Sequence, residues 1–255
     1  MNHIVQFSGG ICSWCTAKRV IERHDNENIV LLFADTLIED KDTYRFINES
    51  SLYFDIPITR LADGRDPWQV FEDEKFIGNS RIDPCSKILK RELLSKYMQD
   101  NYDPADTIIH FGLDWTEIPR FERIRDRKKP WECRAYMIEK PWLLKTEMLK
   151  ELTEAGIEIP RLYKLGFKHN NCGGFCVKAG QAQFAHLLRT LPDRYREHEE
   201  NELRLRSLGI NGTILSITRN GIKQPITLRD FRVSIEQNNQ YDREAWGGCG
   251  CAIDE

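Results

Sequence analysis

The residues best suited to chemistry begin with Ser8-Gly9-Gly10-Ile11-Cys12-Ser13, which follows the apolar run Ile4 to Phe7 and precedes a stretch of helical character, Trp14 to Arg23. A strand that stops at two glycines before a helix makes an anion cradle. The glycines let backbone N–H groups converge, the helix N-terminus adds partial positive charge, and Ser8 and Ser13 can donate hydroxyls. A tight turn without ligand would use the same residues, so the rest of the chain has to decide.

Cysteines are the second group, eight in all. The N-terminus reads directly into a strand without the charged-then-apolar order of a secretory leader, and no apolar run is long enough to span a bilayer. We therefore expect a cytoplasmic chain with no membrane partner and reduced thiols, in which clustered cysteines bind metal or do chemistry. Cys172 and Cys176 flank Gly173-Gly174-Phe175, a loop able to wrap thiolates around a metal centre, although the same offset fits one turn of helix. Cys85 precedes a helix carrying Lys87 and Lys90, and cationic neighbours favour thiolate.

Cys249 and Cys251, one residue apart, could relay sulfur as a persulfide or pass electrons, since accessible thiolates are the reactive ones. Cys12, Cys15 and Cys133 read as buried structural cysteines.

Strands at Ile4–Phe7, Ile29–Ala34, Ile58–Leu61 and Thr107–Phe111 alternate with helical patterns over Asp42–Tyr53, Lys87–Met98 and Thr146–Ala155. That alternation predicts an α/β, Rossmann-like parallel sheet with helices on both faces, and ligands at the carboxyl ends of the strands. Ser8 to Gly10, Asp35-Thr36 and Gly112-Leu113-Asp114 fall there. Further helices are expected over Gly180–Leu191 and Asp193–Leu208, the latter charged enough to read as a surface helix. A strand-turn-strand over 213–235 turns at Asn220-Gly221. We divide the chain into a nucleotide-binding domain, 1–180, and a small α+β appendage, 181–255, ending in the glycine-rich segment Trp246–Cys251 as a mobile or ligand-pinned tail. The net charge of −3 predicts no general attraction to nucleic acid, so anion binding must be local.

With Asp35-Thr36 at the second strand end, the first loop resembles the Ser-Gly-Gly-x-Asp-Ser signature of the PP-loop superfamily, Cys12 standing where Asp is usual. Asp83-Pro84-Cys85-Ser86-Lys87-Ile88-Leu89-Lys90 and Gly112-Leu113-Asp114-Trp115-Thr116-Glu117-Ile118-Pro119-Arg120 are similar to motifs of its phosphoadenosine phosphosulfate reductase branch, with Asp114 where an Arg is usual. Pro141-Trp142, Leu162 to Phe167 and Cys172 to Cys176 continue the order.

The resemblance implies an adenine nucleotide alpha hydrolase-like fold and ATP or an adenylyl sulfate as ligand. Ser8, Gly9, Gly10, Ser13, Asp35, Thr36 and Gly112 would lie at the nucleotide, with Lys87, Lys90, Arg91, Arg120 and Arg123 as candidates for its phosphates or sulfate. Taken singly, Arg91 and Arg123 also read as solvated helix faces. Cys85 to Cys172–Cys176 is similar to the iron-sulfur arrangement of the branch, with Ser86 in place of a second Cys and three residues rather than two in the later pair. The resemblance thus implies a four-cysteine site that needs one further ligand, Cys249 being the natural donor, with Cys251 beside it and Cys133 in reserve. Because the set Cys85, Cys172, Cys176 and Cys249 is scattered along the chain, a 4Fe-4S cluster is expected rather than Zn2+, whose loops usually place their pairs close together.

Three functions follow as expectations. The first is an ATP pyrophosphatase of the sulfur-transfer kind, using Mg2+, with Lys90 and the tail cysteines Cys249 and Cys251 as catalytic candidates. Its acceptor would be a tRNA or DNA and its sulfur would come from a cysteine desulfurase. The second is an adenylyl sulfate reductase whose tail cysteine is restored by a thioredoxin-like protein. The third is a non-catalytic nucleotide-binding module. Arg120 to Lys129 is basic, with Trp131 near, and could meet a phosphate backbone or simply be a solvated surface.

Overall fold

The computed structural model describes residues 1–24, 28–219, 222–238 and 240–247. Its first half runs β1 (Asn2–Gln6), α1 (Ile11–Arg23), β2 (Ile29–Asp35), α2 (Lys41–Phe54) and β3 (Ile58–Ala62). After α3 (Pro67–Asp73) one helix is built in three pieces: α4 (Pro84–Ser86), a π-helical segment over Lys87–Glu92, and α5 (Leu93–Asn101). Then come β4 (Thr107–Phe111), α6 (Ile118–Arg127), β5 (Glu132–Arg134), α7 (Lys145–Glu154) and α8 (Arg161–Lys164). The remainder is α9 (Gln181–Thr190), α10 (Pro192–Ser207), the antiparallel pair β6 (Leu215–Arg219) and β7 (Ile222–Ile226), and α11 (Leu228–Glu236).

The main sheet has the order β3-β2-β1-β4-β5 with every pairing parallel. This is the expected Rossmann-like α/β architecture, with β6, β7 and α9 to α11 as the α+β appendage. Strand order reverses between β1 and β4, so the loops leaving these two strands diverge and open a crevice at their carboxyl ends.

Side-chain alternation sorts the core. Val5, Phe7, Leu31 and Phe33 face α1, α2 and α7, whereas Ile4, Leu32, Ile109 and Phe111 face Met98, Phe121 and Ile124. A further cluster joins Trp68 and Phe71 of α3 to Phe167, Phe175, Phe184, Tyr195 and Phe231. The appendage therefore packs on the segment after β3 and on the loop that carries Cys172 and Cys176. Among the described residues no helix is long and apolar enough to cross a membrane.

The reading of Asp193–Leu208 as a surface helix needs correction, because α10 buries Tyr195, His198, Glu199, Glu202 and Leu205 along one face. Its charges are tolerated by pairing. Glu199 meets Arg229 and Arg232, and Glu202 accepts the backbone N–H groups of Ile214 and Leu228 at 3.1 and 2.5 Å. The Asn220-Gly221 turn lies outside the described residues.

A histidine cluster lies between β1, β4 and the end of α1. His3 Nδ1 and His110 Nε2 are 3.0 Å apart, and His24 stacks on His3 with ring centroids 3.7 Å apart. Burial, with His3 next to it, holds His110 down at about 3. The unfolded chain then binds a proton that the folded chain refuses, so stability present above the ordinary histidine pKa is lost as pH falls toward about 3. The slope from this one group is about 1.4 kcal/mol per pH unit. Urea unfolding at stepped pH should show His110→Gln with a flatter acid limb than the parent. Identical slopes would remove His110 as the cause.

Candidate nucleotide cleft and cysteine pocket

Backbone geometry assembles the first loop before any side chain is considered. Gly9 adopts φ +75°, and its carbonyl accepts a bond from Asn170 Nδ2 at 2.8 Å. Gly10 caps α1 without a side-chain bond, and no acidic residue lies in the first turn to compete with an incoming anion. Ser13 Oγ donates to Gly10 O at 2.8 Å and accepts from Ser8 N at 3.2 Å, which draws the loop into a ring. Ile11 N donates to the Tyr163 hydroxyl at 3.1 Å. A β-carbon on Gly112 would lie 2.7 Å from Ser13 Cα, so the turn after β4 packs backbone to backbone on this loop.

A cleft of about 1100 Å³ opens at this crevice, lined by Ser8, Gly10, Cys12, Ser13, Lys90, Gly112, Asp114, Glu117, Arg120, Lys145, Tyr163 and Asn170 among others. Its charges are largely paired internally: Arg120 bonds Glu117, and Lys145 Nζ sits 4.4 Å from the Tyr163 ring centroid and donates to Lys168 O. Asn170 is buried, and its Oδ1 has no hydrogen-bond partner among the described residues. That leaves an acceptor open at the cleft wall. Burial and then the Asp114 carboxylate push the Cys12 thiol well up, so it lines the cleft as a neutral group.

A second, smaller pocket of about 380 Å³ is lined by Thr36, Asp83, Cys85, Ser86, Lys90, Cys172, Cys176 and Lys178. The three cysteines expected to act together thus share one pocket. Burial and then Cys172 push the Cys85 thiol up to about 12, so without a cation in the pocket it stays protonated. Among the described residues no three His, Cys, Asp or Glu side chains converge as a single ion would require.

Lys90 lines both spaces. It stands on the π-helical segment, a local widening of the helix often found at functional sites. Its Nζ lies 3.7 Å from Cys172 Sγ and 3.8 Å from Glu39 Oε1. Glu39 is buried, accepts from Thr36 Oγ1 at 3.0 Å, and also accepts the Cys172 N–H. Burial pushes its carboxyl upward, and the Lys90 ammonium opposes that shift.

The remaining expected residues are placed as follows. Thr36 lies at the cysteine pocket. Asp35 is fully buried, bound by Arg60 Nε at 2.6 Å and the Tyr44 hydroxyl at 3.0 Å, and it does not line the cleft. Lys87 is exposed, pairs with Glu92 at 3.6 Å and lines neither space. Arg91 is no solvated face: it is partly buried, 3.3 Å from Asp83. Arg123 is exposed and lines neither space, and Cys15 and Cys133 are buried. Cys249 and Cys251 lie outside the described residues. The chain leading to them is anchored, because Gly247 bridges to Ala179, Gly180 N donates to Trp246 O at 3.1 Å, and Ala182 N donates to Ala245 O at 2.9 Å.

Sequence reasoning gave no role to Glu39, Lys145, Tyr163 or Asn170. Tyr163 stood within a quoted motif, and His169-Asn170-Asn171 is a polar run directly before the cysteine loop, which was the available signal.

No family profile matches the chain, and no curated protein matches its sequence. Among solved structures, the chain is similar to the phosphoadenylyl-sulfate reductase of Candida auris in its phosphate complex. The TM-score is 0.49 and the identity 14%, over 66% of this chain and 80% of that one.

Proposed function

We propose that the chain is an ATP pyrophosphatase of the sulfur-transfer kind. The observation that carries this reading is Lys90, which stands on the wall common to a phosphate-type loop cleft and a three-cysteine pocket. In this reading the amides around Gly9 and Gly10 and the N-terminus of α1 hold the triphosphate; Mg2+, for which Asp114 and Glu117 are the cleft carboxylates, would supply charge against the departing pyrophosphate. An acceptor oxygen attacks the α-phosphorus, the α–β bridging bond breaks, and pyrophosphate leaves. A sulfur nucleophile then displaces AMP from the activated acceptor. Lys90 orients the phosphates on one side and stabilises thiolate on the other.

Cys85, Cys172 and Cys176 would supply three ligands to an iron-sulfur cluster. Cys249 is the fourth candidate, two residues beyond anchored Gly247 and thus within roughly 7 Å of backbone reach. Such a cluster would keep the thiols ionised and offer an iron to a sulfur ligand. A cysteine desulfurase fits as donor.

One observation favours the second reading, reduction of an adenylyl sulfate by a tail cysteine restored by a thioredoxin-like protein: the anchored segment ends beside the cysteine loop. Against it, Asp114 and Glu117 place two carboxylates in the cleft, which disfavours a sulfate ester carrying no metal.

Anaerobically purified protein should contain iron and labile sulfide, bind ATP in calorimetry, and release pyrophosphate from it when acceptor is present. Binding of adenosine 5′-phosphosulfate with no ATP titration would overturn the first reading in favour of the second.

A further inference from the structure

We propose that the rim of the nucleotide cleft docks an unpaired stretch of nucleic acid, with a base stacked on Trp142 and the phosphates running along the arginines of α6. This names the acceptor class for the reading above and rests on that reading for the strand's purpose.

Trp115 and Trp142 stack on each other with centroids 5.7 Å apart and planes inclined by 24°. Trp142 is nevertheless 51% exposed. Its Nε1 donates to Ile138 O at 3.0 Å, and the Lys140 ammonium lies over the ring, 5.2 Å from its centroid. An aromatic stacked on one neighbour and held through Nε1, with half its surface open and a cation above it, presents ring surface and positive charge together to a base and its phosphate.

The platform's position ties it to the cleft. Trp115 lies between Asp114 and Glu117, and Trp142 precedes Lys145 by one turn's length of chain. Asp114, Glu117 and Lys145 all line the nucleotide space. A base resting on Trp142 is therefore carried by the two segments that supply Asp114, Glu117 and Lys145 to the cleft wall.

Charge decides the occupant. Between Ile118 and Arg134 the sequence places seven Lys and Arg against three Asp and Glu, in a chain whose net charge is −3. On α6, Arg120, Arg123 and Arg127 follow one another at helical spacing and so share a face. Arg120 lines the cleft, while Arg123 and Arg127 are exposed and have no ion-pair partner among the described residues. This row runs from cleft-lining Arg120 to the far end of α6, the helix that begins just after Trp115. Alternating π-faces and phosphates at such a surface are the chemistry of a single strand, since paired bases have no free face to stack.

The test uses the full chain and a fluorescein-labelled oligouridylate about 16 nucleotides long, followed by anisotropy across a salt series, with ATP calorimetry on the same preparations. The parent should bind the strand more tightly than a duplex of equal length. Trp142→Ala should weaken strand binding about tenfold or more. The double variant Arg123→Ala/Arg127→Ala should reduce the slope of log affinity against log salt by about 1.4. All three positions are exposed, so circular dichroism and ATP affinity should stay at parental values. No strand binding at low salt, or equal binding by Trp142→Ala, overturns the proposal. Strand binding without ATP binding would instead sink the nucleotide reading and leave this surface standing.

Discussion

Lys90→Met should lower pyrophosphate release by roughly 100- to 1000-fold, the usual consequence of removing one positioned donor from a charge-stabilising site. The substitution also strands Glu39, whose buried carboxylate loses its cationic neighbour while accepting from Thr36 Oγ1 and the Cys172 N–H. Breaking a buried ion pair costs up to about 3–5 kcal/mol, and protonation of Glu39 limits that cost. A carboxyl whose folded pKa is raised contributes stability below its ordinary value and loses it as pH rises. The stability deficit of Lys90→Met should therefore be greater at about pH 8 than at about pH 5. Adding Glu39→Gln should restore stability, measured by urea unfolding, without restoring turnover. If the double variant recovered turnover as well, Lys90 would be an internal counter-charge and nothing more.

Gly112→Val should abolish nucleotide binding, with affinity for ATP falling by about 100-fold or more. The added β-carbon would sit 2.7 Å from Ser13 Cα and 2.8 Å from Ser13 N. These are backbone atoms of the helix start, which cannot swing aside as a side-chain tip could, so the ring of bonds joining Ser8, Gly10 and Ser13 must open. Gly112→Ala should give a smaller loss of the same kind. Calorimetry with ATP reads the effect, and far-ultraviolet circular dichroism checks that the sheet remains. Parental affinity in the valine variant would mean that phosphates are held elsewhere.

The frame of the molecule was legible because buried parallel strands announce themselves. Ile29 to Ala34 is apolar without interruption, and in the structure it is the strand between β1 and β3 with both faces covered. The turn from β1 into α1 at Ser8, Gly9 and Gly10, too, could be read from residue type, since glycine pairs and serines are local signals. Contacts across the sheet were not. Glu39 and Asn170 meet Cys172 and Gly9 across more than a hundred residues, and no local periodicity encodes such a meeting. Asp35 differs in another way: a carboxylate at a strand end reads as a ligand contact, and its bond from Arg60 on the adjacent strand is a partner that the local sequence does not announce. On α10 the dense charge hid a buried face, because Glu199 and Glu202 find partners on and before α11 that only the fold supplies.

The Ala179–Gly247 bridge has a kinetic side. A group joined to a chain a short way beyond a pinned point meets the neighbouring loop at an effective concentration in the millimolar range, as short tethers do. On the proposed reading, a Cys249 thiol would thus outcompete free thiols of the surrounding solution as the partner of whatever sulfur species that pocket holds. Lengthening the chain just after Gly247 would dilute this advantage steadily without altering a single contact in the fold.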